Sequence, residues 1–332
     1  MKDVRRPIDP SSDRFMDQFK MHMRARNLAY STEKAYCYWV LRYIRYHNKQ
    51  HPSTLGSADI SNFLSHLANL RRCSKSTQKL VLNSLIYLYR EFLKINVAEL
   101  NYKISSKPRR LPTVFSPSEA SKVIRLLSGK YALAASLIYG SGLRISEVVA
   151  LRIKDIDFEM NRILVCSGKG DKDRTTLLPE SCNEHLKRQM AIVQSLHNED
   201  LANGRGSVYI PTAKSKTKLS SRQEFAWQYL FPSNAVIIDK ANNIAGRHHI
   251  DETVMRKQFK KAIKLASINK AASTHTFRHS FATQCILNGM DIRSLQELLG
   301  HANVTTTQLY LHVAEQRQKP VASPLDTLFD GS

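Results

Sequence analysis

The segment RILVCSGKGDKDRTTLLP (162–179) decides the fold class, because here the hydrophobic period changes from about 3.6 to 2. Ile163 and Val165 alternate with their neighbours, Thr175 and Leu177 do the same, and the tip Gly168, Lys169, Gly170, Asp171 and Lys172 joins the two runs. This pattern predicts a β-hairpin, Arg162–Ser167 with Arg174–Leu178, that turns one face to a core. Around it the spacing is helical. Helices are expected over 117–128 and 131–139, then, after the loop Gly140, Ser141 and Gly142, from about Ile145. Others follow around 183–197 and over 252–267, 275–288, 291–299 and 303–313. The chain therefore reads as mainly α with a small β-hairpin or sheet, an α+β arrangement.

The first hundred residues carry no such interruption. Tyr36, Trp39, Val40, Tyr43 and Ile44 recur at helical spacing behind a Ser31 N-cap, and Lys34, Arg42 and Arg45 fall elsewhere on the wheel. Helices around Phe15–Met23, from Ser57 through Leu67, and through Leu85, Leu88, Tyr89 and Phe92 complete a small bundle whose aromatic residues form its core. Residues 101–113, NYKISSKPRRLPT, lack periodicity and read as a basic linker. Ser116, Pro117 and Glu119 then supply an N-cap, a first-turn proline and a capping-box partner, so a second domain opens at about residue 114 and runs to 332.

At 332 residues the chain exceeds what one core usually sustains, and 42% hydrophobic residues argue against disorder. No apolar run is long enough to span a membrane and the N-terminus lacks a secretory signal, so neither membrane spanning nor secretion is expected and a cytoplasmic location is. Fifty Lys and Arg against 28 Asp and Glu leave a net charge of +22, which points to a polyanion, nucleic acid, as partner. Cys37, Cys73, Cys166, Cys182 and Cys285 are scattered, without a zinc-knuckle spacing. His275 and His279 stand at i and i+4, but Thr276 breaks the metalloprotease pattern, and no metal is expected.

Four segments concentrate reactive side chains: GSGLRISEV (140–148), SGKGDKDR (167–174), HTFRHSFAT (275–283) and LGHANVTTTQLYLHV (299–313). In order and chemistry they resemble the tyrosine site-specific recombinases of the phage-integrase type. That family joins an N-terminal core-binding, SAM-like helical domain (here 1–100) to a catalytic domain. The resemblance implies that Arg144, Lys169, His275, Arg278, His301 and Tyr310 form the active site. Tyr310 would attack a phosphodiester and hold it as a 3′-phosphotyrosine, conserving its free energy without ATP, metal or other cofactor. Arg144 and Arg278 would clamp the non-bridging oxygens, a task suited to planar, permanently charged guanidinium groups. His275 would accept from or orient the nucleophile, His301 would bond the phosphate, and Lys169 would protonate the leaving 5′-oxygen. Glu147, one helical turn from Arg144, would support the arginine or the histidines.

Between Lys169 and His275 lies an insert at about 195–250. Its phrases YIPTA, FAWQYLFPS and RHHIDETV, together with TEKAYCYWVLRYIRYHNKQHPS (32–53), resemble the integron integrases. That branch joins a double-stranded attI site to an attC site folded from one strand with extrahelical bases. Lys214, Lys216, Lys218, Arg247, His248 and His249 are expected on the DNA, and Trp227 either stacks on an extruded base or anchors the insert in the core. The apolar stretch Pro324–Phe329 is expected to dock cyclically between protomers of a tetramer on two sites, or to pack on its own domain. Three competing readings remain: a phage or chromosome-dimer-resolving recombinase on duplex sites, a type IB topoisomerase-like enzyme, and a non-catalytic DNA-binding regulator.

Overall fold

The computed structural model describes residues 5–69, 73–96, 111–166, 173–210, 219–239 and 244–318. The chain divides into two compact units, Met1–Arg109 and Arg110–Ser332. Most of the linker 101–113, the hairpin tip with Lys169, the lysines 214, 216 and 218 and the tail beyond 318 lie outside the described residues.

The first unit is built from α1 (Phe15–Ala25), α2 (Tyr30–Tyr46), α3 (Ser57–Asn69) and α4 (Lys75–Ile86), the last running on into a π-helical stretch, Tyr87–Leu93. Its core holds Phe19, Met23, Trp39, Val40, Tyr43, Ile60, Leu64, Leu85 and Tyr89, so the aromatic stripe packs inward. The buried Tyr43 and Tyr89 hydroxyls meet at 3.0 Å, and Tyr89 donates onward to the Pro52 carbonyl at 2.9 Å. Helix α2 begins two residues earlier than a Ser31 cap implies. Ala29 takes the cap position, and Ser31 lies inside the first turn.

The second unit opens as expected. The Ser116 hydroxyl accepts from the Glu119 amide at 3.1 Å and the Glu119 carboxylate accepts from the Ser116 amide at 2.7 Å, which starts α5 (Pro117–Arg125). Helices α6 (Gly129–Ser141) and α7 (Ile145–Ala150) follow, then β1 (Ile156–Asp157), β2 (Arg162–Val165) and β3 (Arg174–Leu177) in one antiparallel sheet ordered β1-β2-β3. Then come α8 (Asn183–Ala202), a second antiparallel pair β4 (Pro232–Asp239) and β5 (Ile244–His249), and the helices α9 (Glu252–Leu265), α10 (Thr274–Leu287), α11 (Ile292–Leu299) and α12 (Val304–Gln318). The first part of this unit packs Leu137, Val148, Ile163, Phe231, Phe259 and Phe277 together, while Phe281, Leu295, Leu299 and Tyr310 form a smaller cluster. Among the described residues no helix is long and apolar enough to cross a membrane.

The hairpin forms, but its second strand is in the opposite phase to the expected one. The register pairs Ile163 with Thr176 and Arg162 with Leu177, which buries Thr176 and leaves Leu177 44% exposed. A one-residue change of phase exchanges the two faces of a strand, and here a polar contact accompanies the choice: the Thr176 hydroxyl donates to the Ser141 carbonyl at 2.7 Å. The short strand β1 and the pair β4-β5 were not expected. The loop foreseen at 140–142 is mostly helix, with only Gly142 (φ 64°) in the left-handed conformation that ends α6.

Candidate active site

Glu147 sits at the centre of the site. Three residues into the turn that starts α7, its carboxylate accepts from the Arg144 amide at 2.7 Å and from Arg144 Nη1 at 2.6 Å. Arg174, the first residue of β3, approaches from the sheet and donates two parallel bonds to the same carboxylate at 2.9 and 2.8 Å. Arg278, on α10, brings Nη1 to 3.9 Å. Burial pushes the Glu147 carboxyl up, but the hydrogen bonds and charges of Arg174 and Arg144 outweigh it and hold the pKa down at about 2. Three guanidinium groups thus share one carboxylate, leaving two positive charges in surplus. Burial, reinforced by Arg144, pulls Arg278 down to about 10, so it keeps its charge at neutral pH.

The far ends of the same arginines are fixed by one helix end. The last carbonyls of an α-helix have no partner within the helix and carry the negative end of its dipole. At the end of α11, Leu298 O accepts from Arg174 Nε at 2.9 Å, Leu299 O from Arg278 Nη2 at 2.6 Å and Gly300 O from Arg144 Nη2 at 3.3 Å. Gly300 (φ 61°) turns the chain left-handed to make this possible, and a Cβ there would come within 2.8 Å of the Arg174 side chain. Gly142 does the same on the other side: its carbonyl accepts from Arg278 Nη1, and a Cβ would press to 2.4 Å from Phe281. Side chains with this many charge-assisted bonds, each contributing roughly 1.5–3 kcal/mol, are held in place before any ligand arrives.

Tyr310 lies beside this group with 3% of its surface exposed. Burial raises its phenol pKa, opposed by Arg278 and Arg144. Its hydroxyl stands 2.8 Å from His279 Nδ1, and its ring runs nearly parallel to that of His301, 14° apart in plane with centroids 6.3 Å apart. His301 is spoken for at both nitrogens: Nε2 lies 3.1 Å from Arg278 Nη2 and Nδ1 lies 2.9 Å from the Thr307 hydroxyl. Arginine can only donate, so Nε2 accepts and Nδ1 carries the proton. Burial first, then Arg278, Arg144 and Arg174, lowers the His301 pKa to about 4; burial, His275 and Arg278 do the same to His279. Both rings are neutral at pH 7. The arrangement is a cationic cradle for an oxyanion next to a buried phenol and two neutral imidazoles, the equipment of nucleophilic transfer at a phosphoryl group.

Residues 116–317 match the phage integrase family, and residues 15–99 match the phage integrase N-terminal SAM-like domain. An "Integrase/recombinase" of Escherichia coli is 38% identical over 99% of this chain and 98% of its own length. The chain belongs to the phage integrase family. As a tyrosine recombinase it is an enzyme that cleaves and rejoins DNA. A "Tyrosine recombinase XerD" of Agrobacterium fabrum is 30% identical over 78% of this chain and 76% of its own length. In fold this tyrosine recombinase is similar to XerH site-specific recombinase bound to difH DNA (TM-score 0.61, 22% identity, 93% of this chain and 84% of that one). It is likewise similar to a lambda integrase dimer bound to a core site (TM-score 0.60, 16% identity, 88% and 95%).

Of the six residues singled out in the sequence, the structure gathers Arg144, Arg278, His301 and Tyr310 around Glu147 and the end of α11. His275, near the start of α10, is exposed, and its ring centroid lies 6.4 Å from that of His279. Three further residues escaped the sequence reading. Arg174 lies in the hairpin segment with nothing along the chain to mark it, His279 reads only as half of a metal pair, and Thr307 is one of three adjacent threonines. No local pattern tells which arginine will meet a carboxylate from another element.

In the insert, Arg247 donates to Asp200 at 2.6 and 3.0 Å and to the Asn234 carbonyl, tying β5 to α8. Trp227 is half-buried, with Lys154 Nζ 3.9 Å and Arg152 Cζ 5.5 Å from its ring centroid. Arg152 also donates to the Trp227 carbonyl at 2.5 Å and the Tyr209 carbonyl at 2.7 Å. The rings of His248 and His249 lie 4.0 Å apart beside Tyr229.

Proposed function

We propose that this enzyme is the recombinase of an integron, joining folded single-stranded attC cassette sites to double-stranded attI through a 3′-phosphotyrosyl intermediate. Tyr310 attacks the scissile phosphorus; the P–O5′ bond breaks as the P–Oη bond forms. Arg144 and Arg278 hold the non-bridging oxygens, and Glu147 and Arg174 hold those arginines. His301 accepts from Arg278 and so holds that guanidinium toward the phosphate in place of the direct phosphate bond expected of it, His275 meets the substrate at the open end of α10, and Lys169 protonates the departing 5′-oxygen. The released 5′-hydroxyl reverses the step on a second strand, so neither metal nor ATP is consumed. Four protomers act on two sites, exchanging C-terminal segments cyclically, in the cytoplasm.

The observation that carries the finer reading is the insert. It is a paired hairpin, β4-β5, stapled to α8 by Arg247 and Asp200, and it presents the half-buried rings of Trp227, His248 and His249 around the buried Tyr229, among cations. Such a group suits stacking on an extruded base, worth about 1–3 kcal/mol, with Lys214, Lys216 and Lys218 following the backbone. The XerD-named relative favours a second reading, a Xer-like recombinase on duplex sites. Covalent complex formation on a single-stranded hairpin with bulged bases, compared with the same arm fully paired, decides between them. The integron reading expects a Tyr310-dependent covalent band on the bulged arm and little on the paired one; equal bands favour the Xer-like reading. Trp227→Ala should weaken attC use more than attI binding.

A further inference from the structure

We propose that His279, and not His275, takes the phenolic proton of Tyr310 during strand cleavage. This inference rests on the Tyr310 chemistry above and adds the base it requires. A phenol whose ordinary pKa is ~10, raised further by burial, needs an acceptor within hydrogen-bond reach. His279 and His301 stand beside Tyr310 and His275 beside His279, and geometry separates the three. The His301 ring nitrogens are both engaged, Nε2 accepting from Arg278 and Nδ1 donating to Thr307. His275 is exposed on the first turn of α10, one helical turn from His279. His279 Nδ1 lies 2.8 Å from the Tyr310 hydroxyl.

The backbone around His279 fixes this contact. His279 lies mid-helix, and the Thr283 hydroxyl donates to its carbonyl at 3.0 Å. The adjacent Ser280 ties α10 down twice, donating to the Thr276 carbonyl at 2.7 Å and accepting from the Phe115 amide at 2.8 Å. Across the gap, Tyr310 is wedged among Phe281, Leu295 and Leu299. The ring is neutral at pH 7, and in its Nε2–H tautomer Nδ1 accepts from the Tyr310 hydroxyl. As P–Oη forms, the proton passes from Oη to Nδ1 and the imidazolium that results sits beside the incoming phosphate. In resealing, the same proton returns to the departing tyrosinate. The surplus charge of Arg144, Arg174 and Arg278 makes that imidazolium short-lived, which favours the return.

The test measures covalent complex formation on a suicide version of whichever arm, bulged or paired, the wild type cleaves, with DNA affinity alongside. His279→Ala should slow cleavage about 100-fold or more while affinity stays within about twofold of wild type. His279→Asn, whose amide oxygen still accepts the hydrogen bond but cannot take the proton, should be equally slow, which separates proton acceptance from packing. Replacing Tyr310 by 3,5-difluorotyrosine, a far more acidic phenol, should recover about tenfold or more of the His279→Ala deficit and none of a His275→Ala deficit. Cleavage by His279→Asn near the wild-type rate overturns the proposal, as does rescue of His275→Ala in place of His279→Ala. Wild-type cleavage of that same arm is the reference throughout, so equal bands on the two arms would refute the integron reading and leave these rates interpretable.

Discussion

Two buried arginine–carboxylate pairs of the second unit use the same chemistry to opposite ends. In the insert, Arg247 and Asp200 meet one to one at 2.6 Å, and the charges cancel. In the active site, Arg144, Arg174 and Arg278 converge on the single carboxylate of Glu147, and two positive charges remain. The first is a staple, the second a preorganised anion site. Stoichiometry makes the difference, and the count is set by which elements arrive at the carboxylate: α7, β3 and α10 in one case, α8 and β5 in the other.

The sharpest way to break this comparison is to neutralise each acid. Breaking a buried pair costs about 3–5 kcal/mol, so both Glu147→Gln and Asp200→Asn should lower the melting temperature. Only Glu147→Gln should also slow covalent complex formation, on the order of 100-fold per folded molecule, because it releases the arginines that face the transition state. Equal effects on duplex cleavage would mean that the insert pair is part of the catalytic apparatus. Arg174→Lys sharpens the point by keeping the charge and removing the fork. With one donor where two parallel bonds stood, Glu147 and Arg144 lose alignment, and cleavage should fall about tenfold, or ~1.4 kcal/mol.

Acid separates the two regions by a different route. His279 and His301 are held at about 4, against about 6.5 in an unfolded chain. Between those values the unfolded chain binds more protons, so stability is flat above about pH 6.5 and falls as the pH drops from there towards 4. Hydrogen exchange at pH 7 and pH 5 should therefore show α10 and α12 losing protection before β4 and β5 do. The smallest expected effect is that of Thr307→Val. It removes the acceptor of the His301 Nδ1 proton, costs about 1 kcal/mol, and should slow cleavage a few-fold with no change at the insert.

Much of this molecule is legible along the chain. The capping box at Ser116 and Glu119 forms as written, the aromatic stripe of α2 packs inward, and a small antiparallel sheet interrupts the helices where the period changes. Local signals act within a few residues, which is why they survive in the sequence. The phase of β3 is less legible: Thr175 and Leu177 alternate as well as Arg174 and Thr176, and only the pairing with β2 and the Ser141 carbonyl shows which face is inside.

The sequence by itself determined the helix-rich composition, the cationic balance and the order of Arg144, Lys169, His275, Arg278, His301 and Tyr310, since spacing and residue chemistry are properties of the chain. Tertiary structure decided who meets whom. It brought Arg174 across 27 residues to Glu147, presented Leu298, Leu299 and Gly300 to three different arginines, and set His279 rather than His275 against Tyr310. Those contacts depend on distances between elements far apart in sequence, and hydrogen bonds and ion pairs are fixed by ångströms in space, which residue spacing along the chain does not encode.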